Sequence, residues 1–496
     1  MDQMDRAPTL LEKLKFFLIV GVGYFANGYT SVTIVLGVSM LGYIYFEDTG
    51  SAVPTDQSST MKTGTYIGLI VGQLVFGYLG DTFGRNSVYG KELIFFILGN
   101  IMCILMPWRG FSHSAVVGWM TTWRAVMGLG TGGDIPISAT LSAEKSGTKG
   151  HAHMFLLVYF IGGVGNITAS IVLVILLAAF KKSIQDNVYH FNWVWRLHLG
   201  LILVPLLLTI YSRFKMRETI AFQKYVGKNQ NENSALPAKP SLRSQFQTFI
   251  VFFKDPRHAK TLFAATLFWF LHDIASQGIS LNQDIVLHRI GFGKGETQYV
   301  TMWNTAVGNC IVYCAGYLPG LFIGTHILPY VIGRRAHLFY SASLLAVIYA
   351  VWAGVSNIAN TGTLMSLFVL AQAVMDSGPA LVEYAFLELF PTRVRATAFG
   401  IASSSGRLAS IIAVFGFTKL ENAIGLGGIL GFFAGIMALA ALCVGWIPET
   451  RNCTIDDIEK DFLYRPELRD NSGEQNKEGR GSDKPVATVV TEEIQA

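Results

Sequence analysis

An all-α membrane protein of twelve transmembrane helices in two six-helix bundles is the fold this sequence predicts. Three observations carry the prediction. The 496 residues are 51% hydrophobic and only 14% charged, whereas a soluble domain carries about 25% charge. About twelve apolar stretches fill the chain between residues 14 and 447, each near the roughly 20 residues that cross a bilayer core as a helix. The basic clusters, among them Arg85, Arg334, Arg335, Arg393 and Arg395, cap those stretches on one side of the count.

The elements follow in order. A short N-terminus, 1–13, precedes a first bundle, 14–212, with spans expected near 16–45, 63–79, 92–106, 115–139, 154–180 and 193–212. The first span is too long for a cleavable signal, and more spans follow it. A polar, basic loop occupies 213–260. The second bundle, 261–447, has spans near 261–283, 299–328, 338–356, 364–390, 396–417 and 426–446. The tail, 448–496, is polar and reads as disordered from about 470. Basic loops favour the cytoplasmic side, so both termini are expected inside.

Span two ends in Gly77-Tyr78-Leu79-Gly80-Asp81-Thr82-Phe83-Gly84-Arg85. Its glycines let helices approach closely, Asp81 can accept hydrogen bonds at a helix end, and Arg85 is expected to anchor at the headgroups. Span eight ends in a weaker echo, Gly324 … Gly333-Arg334-Arg335, as repeated halves around a midplane site would. In span four, Gly132 and Gly133 precede Asp134, and Pro136 follows; this run is expected to open the helix beside a cavity.

Several function classes drop out. The basic residues rim helices and form no continuous stripe, which argues against nucleic acid. No nucleophile–base pair and no metal-ligand spacing is visible, so neither an enzyme nor a metal site is expected. Cys310 and Cys314, four apart in an apolar run, read as small core residues.

Two acids within spans point to a carrier that moves something polar, because a carboxylate at that depth costs several kcal/mol unless paired or neutralised. Asp273 has Trp269 one turn before it on the same helix face, where the indole N–H could donate to an oxyanion. Asp134 is either a proton acceptor or a structural partner of Arg124, ten residues earlier. His272 points to another face than Asp273 and reads as a packing histidine.

The chain resembles the major facilitator superfamily, and within it the phosphate:proton symporter family of fungi and plants, which includes fungal glycerophosphodiester permeases. The residues carrying the resemblance are Gly72-Gln73-Leu74-Val75-Phe76-Gly77, Gly90-Lys91-Glu92-Leu93, Arg124 with Gly132 to Ala139, Trp195-Arg196-Leu197, Trp269 with Asp273 to Ala275 and Leu281 to Gln283, and Phe390-Pro391-Thr392-Arg393. The resemblance implies proton-coupled import of phosphate or a phosphate ester by alternating access, at a plasma membrane. It needs no cofactor beyond the proton gradient and would work as a monomer in the bilayer. It puts Trp269 on the phosphate and a proton on Asp273, and it places Asp134 in the proton path. Glu92 is either a proton carrier or a partner for a basic loop residue. Arg407 stands where the family has a lysine; it is either the anion's counter-charge, with a bidentate fork, or an interface arginine. Asp81, Gly84, Arg85, Arg124, Gly132, Gly133 and Pro136 are expected to serve gating and structure.

The chain departs from that pattern at Ile135, Gly162 and Gln277, and span one shows Asn27 and Thr30 instead of acids. Most hydroxyl and amide ligands of free phosphate are therefore expected to be missing. Span ten gains Asp376 and Glu383, seven residues apart on one face. A wider pocket suited to a phosphodiester follows, with Glu383 among the substrate contacts beside Ile135, Gln277 and Arg407. The rivals are an exporter of another metabolite and a non-transporting nutrient receptor.

Overall fold

The computed structural model describes residues 10–108, 110–145, 151–216, 218, 219, 222, 242–375, 377 and 389–449, and among them there is no strand. Helix α1 (Leu10–Tyr45) rises from one face, here the near face, and α2 (Thr55–Phe83) returns from the far face. Helices α3 (Glu92–Ile104), α4 (His113–Lys145), α5 (His151–Ala179) and α6 (Val188–Phe214) complete the first bundle. The second bundle has α7 (Pro256–Ser280), α8 (Gln298–His326), α9 (Arg334–Val355) and α10, described over Thr361–Met375. One helical stretch, Arg395–Cys443, carries both α11 and α12. It turns at Gly425, whose φ of 70° favours a residue without Cβ.

Eight segments are long and apolar enough by composition to cross a bilayer, and Arg395–Trp446 holds two passes in one of them. Helices α4 and α7 are long but more polar, and α10 is described only to Met375. Counting these three, and the double segment twice, gives the twelve passes of the sequence prediction.

Close backbone contact holds the bundles together, since lipid supplies no hydrophobic drive between helices. A Cβ on Gly68 of α2 would lie 1.9 Å from the Ala125 carbonyl oxygen of α4, and one on Gly132 lies 2.5 Å from that of Leu69. Gly320 of α8 meets the Ala373 carbonyl of α10 in the same way, at 1.9 Å. The two bundles touch along α2–α11 and α5–α8. At the first seam a Cβ on Gly400 would stand 2.4 Å from the Gln73 carbonyl.

Three local expectations change. Helix α4 runs through Pro136 to Lys145 and does not open at Gly132–Pro136; its glycines serve contact, Gly133 against Phe76 and Glu92. Arg85 does not reach toward headgroups. It is fully buried, ion-paired with Asp81 (2.8 Å) and Glu144 (3.2 Å), and donates to the Thr392 carbonyl of the other bundle at 2.7 Å. Gly84 supplies the turn that lets this happen, with φ +95°. Finally, the segment expected as a polar loop at 213–260 contains a helix, Leu242–Phe253, and α7 starts within it at Pro256. Gln245 of that short helix donates to the Arg393 carbonyl, tying it to the near face.

Candidate functional site

A cavity of about 130 Å³ lies between the bundles. It is lined from α1 by Tyr24, Asn27 and Ser31, from α2 by Tyr66, from α4 by Ile135, and from α5 by Gly162 and Asn166. The second bundle contributes Gln277, Tyr313, Tyr317, Gln372 and Arg407.

The charged floor is built from α7 and α11. Arg407, twelve residues into α11, turns inward and donates through Nη1 to Asp273 Oδ2 at 3.5 Å. Its side chain is nearly buried, which rules out the interface position weighed from the sequence. Trp269 packs edge-on against Phe399 one turn before Asp273. The two helices can meet here only because residue 406 is glycine: a Cβ there would lie 2.6 Å from Asp273 Oδ2 and 2.7 Å from the Trp269 ring.

His272 is not merely a packing residue. Its Nδ1 lies 3.4 Å from Asp273 Oδ1 and its Nε2 lies 3.3 Å from the Met375 carbonyl. If Nε2 donates to that carbonyl, Nδ1 meets Asp273 favourably only with a proton on one of the two.

A second acidic group sits nearer the near face. Asp134 pairs with Arg213 of α6 at 2.5 Å, and not with Arg124. The same guanidinium lies 3.6 Å from Glu92, whose carboxylate also accepts from the Gly90 N–H at 2.8 Å. Glu92's basic partner thus comes from the end of α6. Two carboxylates share one arginine, and among the described residues Asp134 Oδ2 and Glu92 Oε2 have no hydrogen-bond partner. One proton would balance the cluster's charge.

Polar bonds join the two bundles on both sides of the cavity. Toward the far face, Tyr66 donates to Gln277 Oε1 at 3.1 Å, and Lys62 pairs with Asp284 at 3.1 Å. At the near face, Asp81 accepts from the Ala396 and Thr397 N–H groups, at 3.2 and 2.7 Å, where α11 starts. Arg85 adds its bond to Thr392.

The structure brings together Trp269, Asp273, Gln277, Arg407 and Ile135. It sets Asp134 and Glu92 apart from them, on Arg213. Asp376 and Glu383 lie outside the described residues. The expected lack of hydroxyl and amide ligands is corrected: Asn27, Ser31, Asn166, Tyr313, Tyr317 and Gln372 face the cavity from other positions. One sequence signal for two of them was available. Pro319 lacks the N–H that the Ala315 carbonyl would use, and α8 widens there into a π turn, Val312–Tyr317, which carries the two cavity tyrosines, Tyr313 and Tyr317.

A family model described as sugar (and other) transporter matches residues 16–462. The chain is 28% identical to a repressible high-affinity phosphate permease of Neurospora crassa, over 93% of this chain and 89% of that one. It is likewise 28% identical to an inorganic phosphate transporter of Saccharomyces cerevisiae, over 94% and 87%. Among solved structures, the proton:xylose symporter XylE bound to 6-bromo-6-deoxy-D-glucose is similar in fold, with a TM-score of 0.69 at 17% identity, covering 91% of this chain and 99% of that one.

Proposed function

From a chain that belongs to the sugar (and other) transporter family of the major facilitator superfamily, a multi-pass membrane carrier and not an enzyme, we propose a proton-coupled importer of inorganic phosphate. The observation that carries the substrate is Arg407, which lines a polar cavity between the bundles and pairs with Asp273 one turn from Trp269. An entering oxyanion takes the guanidinium's fork, which suits phosphate geometry. Asp273 then faces an anion instead of a cation, and a proton on it removes the repulsion. Substrate and proton therefore arrive together, and the His272 contact gives that proton a second holder. The relatives named as phosphate transporters support the same substrate.

Size favours free phosphate over its esters in this closed form. An apolar cavity of about 150 Å³ takes benzene, and a phosphate ion is of comparable size to what 130 Å³ holds. A glycerophosphodiester is several times larger and needs the cavity to widen. The Asp134–Glu92–Arg213 cluster is the second proton station, set toward the near face. That face carries Arg85, Arg334, Arg335 and Arg393 and is the cytoplasmic one by charge, with both termini there. The setting is the plasma membrane, the working unit is a monomer, and the proton gradient replaces any cofactor.

The test is uptake of labelled phosphate by reconstituted vesicles, acid outside. Saturable accumulation that collapses with the pH gradient is expected. Absence of phosphate uptake overturns the proposal, and displacement by glycerophosphodiester at lower concentration than by phosphate moves the substrate to the ester.

A further inference from the structure

The proposed transport cycle gives no role to a buried cation of α4, Arg124. Arg124 is 1% exposed, yet among the described residues Nε and Nη1 of its guanidinium have no hydrogen-bond partner. The two acids on its own helix are taken elsewhere, Asp134 by Arg213 and Glu144 by Arg85. Among the described residues, the ionisable groups facing Arg124 are Cys103 of α3 and Tyr66 of α2, and neither is an acid at neutral pH. A buried, uncompensated charge is costly to keep unless something compensates it in another state.

Tyr66 tells where that compensation comes from. Its ring lines the cavity, with the Arg407 guanidinium carbon 6.0 Å from the ring centroid. Its phenol lies within electrostatic range of Arg407, Asp273 and Arg124 alike. The same phenol bonds Gln277 of the opposite bundle. Tyr66 thus neighbours both the cavity and Arg124, and it is held in place by a bond to the opposite bundle that must break when the far side opens.

We infer that Arg124 is a second anion-binding cation, uncovered when Tyr66 leaves Gln277, which receives a tetrahedral oxyanion on its way to Arg407. This rests on the reading of the cavity as a phosphate site. The anion would exchange water for the free guanidinium nitrogens of Arg124, and then pass to Arg407 as the far side closes and Tyr66 returns. Around Tyr66, two guanidinium groups, Arg407 and Arg124, stand against one carboxylate, Asp273, which favours an anion there.

The experiment measures phosphate exchange at equal pH on both sides, and the melting temperature of the purified full-length protein, with and without phosphate. In Arg124→Gln and Arg124→Met, the KM for external phosphate is expected to rise about ten- to one-hundred-fold, the loss of a charged hydrogen-bonding partner. The phosphate-free melting temperature should hold or rise, because an unpaired buried charge is gone. Arg124→Lys should recover most of the KM. An unchanged KM in Arg124→Met overturns the inference, as does a variant that fails to fold, since that would make Arg124 structural. Exchange absent in the unsubstituted protein would instead count against the phosphate reading itself.

Discussion

Asp273 has three neighbours that define its work: Arg407 at 3.5 Å, His272 at 3.4 Å, and the Gly406 backbone against which it packs. Asp273→Asn removes the titratable group and leaves its shape, so accumulation driven by a pH gradient should stop while exchange at equal pH persists. A variant that still concentrates phosphate under an acid-outside gradient would show that the proton travels elsewhere. Arg407→Lys keeps the charge and loses the fork; weaker transport is expected, and near-complete loss in Arg407→Ala. Gly406→Ala is the steric counterpart, since its methyl group would enter both Asp273 and Trp269. Overpacking of this kind costs roughly 1–3 kcal/mol. Phosphate exchange should fall in Gly406→Ala with the protein still monodisperse on gel filtration, and normal exchange would mean that α11 yields without disturbing the pair. The sequence singled out Asp273 as an acid within an apolar span with Trp269 one turn before it, whereas Arg407 came only from the resemblance, as either a counter-charge or an interface arginine, until its inward turn decided between them. The partner of Asp134 was not legible. Arg213 lies 79 residues away at the end of another helix, and only the packing of α6 on the bundle decides that it, and not Arg124, meets the acid.

Helix existence was readable from hydropathy, and helix contacts were only half readable. The glycines of α2 and α4 announced close approach, but which backbone each one meets depends on register: Gly68 faces Ala125 and Gly132 faces Leu69. Gly68→Leu should therefore break the α2–α4 seam and lower the melting temperature far more than Gly118→Leu, where a Cβ would meet nothing within 4 Å. Equal melting temperatures for the two would show that the seam can separate without loss. The run around Pro136 misled because proline is a helix breaker in isolation, whereas in a membrane neighbouring helices tolerate its missing bond. Donors such as Ser31, Asn166 and Tyr313 were hidden for a related reason. A polar residue within a span is equally compatible with a helix seam and a cavity wall until the neighbouring helices are placed.

At the scale of the whole molecule, the two bundles are joined by polar bonds on both sides of the cavity, and transport requires those sides to open in turn. The near side is held by a carboxylate receiving helix N–H groups, Asp81 against Ala396 and Thr397, in a geometry a helix start favours. The far side is held differently, by Lys62 and Asp284 with Ser39 adding a 3.5 Å bond. Lys62 is almost fully buried and Asp284 is partly exposed. Removing one partner of a buried pair costs about 3–5 kcal/mol, most of it from the charge left behind. The far side can avoid that cost by opening, which hydrates the lone charge. Lys62→Gln and Asp284→Asn should therefore both shift the protein toward the far-side-open state. The readout is labelling of a reporter, Ser31→Cys, on the cavity wall, by a membrane-impermeant thiol reagent added from the far side. Labelling should quicken by about ten-fold or more in either variant, as 1.4 kcal/mol is a factor of ten. The charge exchange Lys62→Asp with Asp284→Lys should slow it again, because attraction is restored with the roles reversed. If the single variants label at the parent rate, the pair follows closure instead of holding it, and Tyr66–Gln277 becomes the bond on which the far side turns.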